Sequence, residues 1–350
     1  MRNAGFTRIA VTSFALAGLI AVFAVSRGAT SSTSGGDKSD AGKAQELKVT
    51  IKEWAVPTKG AHPHDPAVGA DGALWFTEQM ANKIGRLDPK TGEFKEYPLK
   101  VTNSGPHGLV EDGEGNIWFT ANFAGYVGKL DAKTGQVKEY KMPAEKADDP
   151  HSLIFDPNGM LWFTLQGANM VGRLDPKTGK IELKDVPTEN ALPYGIQMSS
   201  KGVPFFCELG THKIGSVDPK TMAIRDYDLP KEVRPRRLAI DAQDRVYFSD
   251  FKGGHLGRLD PKTGEVKLWD SPGGAESNPY GITITPDGMV WYSESGVKPN
   301  TLVRFDPKTE TFAKTDIPSG GGVVRNMAAT KDGRVYIACS GVDKVGVVQP

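Results

Sequence analysis

The sequence predicts an all-β fold, a seven-bladed β-propeller of four-stranded blades, and three observations carry that expectation. An aromatic-rich segment recurs seven times, as LWFTE (74–78), IWFTA (117–121), LWFTL (161–165), PFFCE (204–208), VYFSD (246–250), VWYSE (290–294) and VYIAC (335–339), at spacings of 42 to 45 residues. That period is the length of a propeller blade. The chain holds 41 Gly and 24 Pro in 350 residues, and each would cost about 1 or 3 kcal/mol, respectively, inside a helix. Long helices are excluded. Finally, LKVTIKEWAVP (47–57) reads as an outer strand with no blade before it, while the last repeat stops at Pro350 after three strands. The N-terminal strand is therefore expected to complete the seventh blade, which leaves the ring without an open edge.

Within each repeat the elements follow in a fixed order. A short apolar run such as GLVED (108–112) or GITIT (281–285) is followed by a Gly- or Asp-containing turn and then the aromatic segment, which reads as a hairpin. The third strand appears as KIGRLD, YVGKLD, MVGRLD, KIGSVD, HLGRLD and LVRFD. Asp-Pro-Lys-Thr-Gly or a variant closes it, with Pro presetting the turn and Gly supplying a positive φ. EFKEYPL, QVKEYKM, KIELKDV, AIRDYDL, EVKLWDS and TFAKTDI form the fourth strands. The Trp-Phe pairs of the repeat are assigned to packing between blades.

Before the propeller lie two other segments. Arg2 and Arg8 precede an uncharged stretch from Ile9 to Ser26, which marks residues 1–29 as a signal peptide or signal anchor. Residues 30–46, Ser- and Gly-rich, read as a disordered linker, and residues 47–350 as the propeller. The folded part is thus expected to be exported, periplasmic or extracellular, with a membrane contact only through an uncleaved N-terminal anchor. With 43 Lys+Arg against 42 Asp+Glu, nothing favours nucleic acid or an anionic bilayer. A monomer is expected. Cys207 and Cys339 sit in distant repeats and are expected to be free and buried. No Cys-x-x-Cys-His occurs, so covalent haem is excluded.

The start of each inner strand faces the channel, and the residue fourteen later ends the second strand at the same mouth. The pairs are His64 with Glu78, His107 with Ala121, His151 with Leu165, Tyr194 with Glu208, Arg236 with Asp250, Tyr280 with Glu294, and Arg325 with Cys339. Imidazoles on blades 1 to 3 and acids on blades 1, 4, 5 and 6 are thereby expected around one opening. Each has a plainer reading: a His can cap a strand start by bonding a carbonyl, Asp250 can pair with Arg236, and Glu78 or Glu294 can be a solvated rim charge.

The stretch from Leu47 to Pro350, with its PHGL…GNIWFT…VGKLD…TGQVKEY pattern, resembles the virginiamycin B lyase (streptogramin lyase) family of seven-bladed propellers. That resemblance implies a carbon–oxygen lyase, which opens a cyclic depsipeptide at its ester by elimination, with Mg²⁺ at the channel mouth. The family pattern is a Pro-His in one blade, then an acid-Pro-His in the next, followed fourteen residues on by a Glu. Here His107 matches the first His, and Asp149-Pro150-His151 the second group, while Leu165 stands where the Glu belongs. The resemblance implies His151 as the base, oriented by Asp149, and His107 assisting the leaving carboxylate. It implies a metal held by Asp149 or Glu78. His64, Tyr194, Tyr280, Arg236 and Arg325 would bind a small-molecule ester or lactone substrate. Two alternatives remain open: a metal-dependent hydrolase of the gluconolactonase type, and a non-catalytic propeller that binds a ligand or a protein.

Overall fold

The computed structural model describes residues 44–349. The signal and most of the linker expected from the sequence lie outside the described residues. Among those described, no helix is long and apolar enough to cross a membrane.

Seven antiparallel sheets follow one another along the chain, and in blades 1 to 6 the strands run outward in chain order. Blade 1, for example, consists of Pro63–Val68, Leu74–Glu78, Lys83–Leu87 and Phe94–Pro98. Blade 7 takes its three inner strands from the C-terminus and its fourth, Thr50–Ala55, from the N-terminus. Thr50–Ala55 runs antiparallel to Lys344–Gln349, with Trp54 opposite Val345. The closure expected from the orphan strand is therefore the one observed. Asp343 reinforces it by accepting bonds from the backbone N–H groups of Gly60 (2.7 Å) and His62 (2.9 Å).

One detail was not expected. Gln45–Glu46 pairs in parallel with the outer strand of blade 6, Thr311–Asp316, so the chain joins the propeller inside what the composition reads as linker.

The repeat explains the packing. The second strand of every blade is fully buried, and Trp118, Trp162 and Trp291 are among the largest side chains sealed inside. In blade 1 the ring of Phe76 lies over Gly85 of the third strand, where an added Cβ would sit 2.2 Å from the ring. That close approach is why the third strand reads x-Ile-Gly or x-Val-Gly in five of the blades.

Candidate functional site

A small irregularity in the inner strands builds the channel wall. In blade 1, Pro63 pairs with Glu78 but Pro66 pairs with Phe76, so the inner strand carries one residue more than its partner. All seven inner strands have this register shift. Such a bulge leaves residues unpaired and re-aims their side chains, and here two successive residues per blade reach the channel.

A hydroxyl on the second strand holds the bulge in five blades. The N–H of Asp65 donates to Thr77 Oγ1 (3.1 Å), Gly108 to Thr120 (2.9 Å), Ser152 to Thr164 (3.2 Å), Arg237 to Ser249 (3.1 Å) and Gly281 to Ser293 (3.1 Å). Most of these hydroxyls then donate to the neighbouring blade: Thr77 to the His107 carbonyl (2.8 Å), Thr120 to that of His151 (2.6 Å), and Thr164 to that of Tyr194 (2.7 Å). Cys207 and Ala338 occupy the same place in blades 4 and 7.

The first channel-facing residue of each blade forms a ring. His64 and His107 lie with ring centroids 3.8 Å apart, His107 and His151 likewise at 3.8 Å, and His151 and Tyr194 at 4.0 Å. Interplanar angles of 46°, 44° and 48° are close to the ~51° turn between neighbours in a sevenfold ring, so the four side chains repeat one pose. Tyr194 and Tyr280 touch through their hydroxyls at 2.5 Å. Between them Arg236 sits 3.9 Å from the Tyr280 ring and 4.1 Å from Phe251. Arg325 completes the circle, 5.9 Å from the Tyr280 ring. The seven residues expected at this position thus do come together.

The next residue in each strand forms a second tier that the sequence reading missed. His64 Nδ1 lies 2.9 Å from Asp65 Oδ1. Asp65 also accepts from Arg237 Nη2 (2.8 Å) and from Asn326 Nδ2 (3.0 Å), while Arg237 Nη1 reaches Ser152 Oγ at 3.3 Å. Blades 1, 3, 5 and 7 are thereby joined across the channel. His151 Nδ1 has Ser152 Oγ at 3.0 Å, but His107, followed by Gly108, has no partner among the described residues for its buried Nδ1. The usable signal in the sequence was the residue after each ring position: Asp65, Ser152, Arg237 and Asn326 break a series otherwise filled by glycine.

These contacts set the charge. The three imidazoles are 2–4% exposed, and burial holds all three well below their ordinary pKa, with the Arg237 charge acting in the same direction. They are neutral at neutral pH. Arg236 and Arg325 have no hydrogen-bond or ion-pair partner among the described residues, and the Nε atoms of both are buried without an acceptor. The ring is short of negative charge.

The acids expected at this mouth are elsewhere. Glu78, Glu208, Asp250 and Glu294 are all fully buried, so neither Glu78 nor Glu294 is a rim charge. Asp250 accepts from the N–H of Arg234 (2.9 Å) and lies 2.7 Å from His255 Nδ1; it does not pair with Arg236. Glu294 is bonded by Ser271 and Thr301. Glu78 belongs beside Lys83 and Glu96, and burial, then Glu96, pushes its pKa up to about 8. The expectation fails because each acid is opposite the proline before the ring residue, on the other side of the bulge. Asp149 does not orient His151 either: its carboxylate accepts from the N–H groups of Gly167 and Ala168.

This geometry does not suit Mg²⁺, which requires oxygen ligands in octahedral array. Both Asp149 oxygens bond a turn, Glu78 lies in the blade interior, and both Asp65 oxygens are taken. Among the described residues the one compact donor group is His64, Asp65 and His107. It offers two nitrogens and a carboxylate already paired with Arg237.

Comparison with known proteins shows the family and the fold. The sequence profile of the virginiamycin B lyase family matches residues 37–293. A streptogramin B lyase structure superposes with a TM-score of 0.79 at 26% identity, covering 86% of this chain and 97% of that one. Two structures of virginiamycin B lyase from Staphylococcus aureus are similar in fold, each with a TM-score of 0.78 at 24% identity, covering 87% of this chain and 100% of the other. One of these is a catalytically inactive histidine-to-alanine variant with quinupristin.

Proposed function

The chain belongs to the virginiamycin B lyase family, and on that premise we propose that it is an exported carbon–oxygen lyase that opens a cyclic depsipeptide or another ester or lactone by elimination, with the channel ring as its reaction centre. One observation carries the reading. Asp65 receives the Nδ1–H of His64, which leaves Nε2 as the proton-accepting nitrogen, next to a blade whose Arg325 lacks a counter-charge.

In this scheme His64 Nε2 takes the proton α to a carbonyl, and Arg325 holds the enolate oxygen. The electron pair then forms the carbon–carbon double bond as the ester C–O bond breaks, and the carboxylate departs toward Arg236. His64 then releases the proton to solvent as the carboxylate product leaves. No water is consumed. The assignment moves the base from His151 to His64, because the carboxylate lies beside His64. It uses guanidinium groups where the family resemblance implies Mg²⁺, and no step runs through a metal.

Incubation with quinupristin followed by mass spectrometry tests the reading. Elimination gives a ring-opened product of unchanged mass, whereas hydrolysis adds one water. His64→Ala should lower the rate about 10²–10⁴-fold. A product heavier by one water would favour the hydrolase alternative. The near-complete burial of the imidazoles favours a second reading, a non-catalytic binding propeller, for which no product forms with this or any other ester.

A further inference from the structure

Two positive charges of the ring lack a counter-charge. Arg236 on blade 5 and Arg325 on blade 7 flank Tyr280 of blade 6, their guanidinium carbons 3.9 Å and 5.9 Å from the centre of that one ring. Neither side chain makes a hydrogen bond or ion pair among the described residues, and while both Nε atoms are sealed, the Nη atoms are not. Both residues keep partial exposure, in contrast to the buried Arg237, whose two Nη atoms are engaged by Asp65 and Ser152. The two forks are therefore open to a ligand at the mouth.

The carboxylates that the fold could offer them are engaged elsewhere. Asp250 ends the second strand of blade 5 but is bonded by the N–H groups of Arg234 and Gly253 and by His255. Glu294, its counterpart on blade 6, is bonded by Ser271, Gly273 and Thr301. Asp343 accepts from the N–H groups of Gly60 and His62. The field over the opening is positive: burial and then Arg325 lower the pKa of His62 against the opposing charge of Asp343, and burial, Arg237 and Arg325 lower that of His64.

Arg236 is also held in place for an anion. Its guanidinium lies against Tyr280 and 4.1 Å from the centre of the Phe251 ring, with the Tyr194 ring at 5.2 Å. A guanidinium stacked in this way keeps its planar donor fork in one orientation, so less side-chain entropy is lost when an anion binds. A carboxylate matches that fork with two parallel bonds.

We propose that the ring mouth binds a short aliphatic dicarboxylate, one carboxylate on the Arg236 fork and the other on that of Arg325, its methylenes spanning Tyr280. Two separate cations on either side of one aromatic residue favour a ligand with two charged ends over a single compact anion. The proposal stands on the unpaired charges and not on the elimination scheme. Within that scheme the same ligand would take the places of the enolate oxygen and the departing carboxylate, and so block turnover.

Titration calorimetry on the full chain tests this, with succinate and glutarate as probes and acetate and inorganic phosphate as controls. The tighter of the two dicarboxylates should bind at least about tenfold better than acetate, the difference expected of a second charge-assisted bond. Arg236→Gln and Arg325→Gln, each with a cooperative melt retained, should bring its affinity down to about that of acetate, and either variant alone is enough for the comparison. Lys262→Gln removes a positive charge from a turn of blade 5 where Nζ reaches the Gln243 carbonyl, and should leave binding intact. Absence of dicarboxylate binding, equal binding of acetate, tighter binding of phosphate, or a loss in Lys262→Gln equal to that in the arginine variants would overturn the proposal, the last by showing only a general effect of charge. None of these outcomes depends on turnover, so this proposal and the lyase reading fail separately.

Discussion

Glu78 shows what a buried side chain can do when its neighbours are chosen for the fold. Neither of its oxygens has a hydrogen-bond partner among the described residues, and its pKa of about 8 means that the fold binds the protonated acid. A raised carboxyl pKa stabilises the fold fully below the ordinary value of about 4.5, and that stability is lost as pH rises through about 8. Glu78→Gln should therefore melt above the parent at pH 9, with the gap closing toward pH 5, as thermal scans across that range would show. The ring histidines act in the opposite sense: with pKa values held down by burial, they cost stability as pH falls below about 6.5. Asp65, Arg237 and Asn326 show how far the site exceeds what motif matching finds. The resemblance directed attention to Asp149 and His151, but the carboxylate in contact with an imidazole of the ring is one residue after His64. Because the described residues form no oxygen-rich metal site, turnover in the quinupristin assay should survive EDTA; abolition by EDTA and rescue by Mg²⁺ would refute the guanidinium assignment.

The bulged inner strand is the element that makes a site from a repeat. Its extra residue brings two consecutive residues to the channel, and in five blades a Thr or Ser hydroxyl holds the bulge, most of them also bonding the next blade. In Thr120→Val the N–H of Gly108 and the carbonyl of His151 would lose a buried partner, at a cost of about 1–3 kcal/mol. Denaturant unfolding measures this directly. A loss below about 0.5 kcal/mol, the scatter of ordinary surface substitutions, would show that the hydroxyl does not hold the bulge. The hairpins, turns and third-strand glycines were legible in the sequence, since turn chemistry and period are local. The bulge was not: a register shift leaves the alternation of apolar residues nearly unchanged, so the acids were placed one position out of phase with the channel.

The ring closes because blade 7 is shared by both ends of the chain. Removing residues 1–58 deletes Thr50–Ala55 and strips the edge of Lys344–Gln349. It also exposes Val345 and Val347, which are buried in the closed ring. A chain shortened in this way should melt more than about 10 °C lower and associate through the open edge, as calorimetry and light scattering would report. Blade number, strand order and ring closure were all readable from the amino-acid sequence, because a repeat of fixed length, glycine- and proline-marked turns and one surplus strand admit few arrangements. Which side chains meet across the channel was not readable. Arg237 and Asp65 are 172 residues apart, and their contact depends on the ring's diameter, on the bulge that turns each inward and on the glycines that leave space between them. Those are properties of the closed circle, and no local stretch of chain contains them.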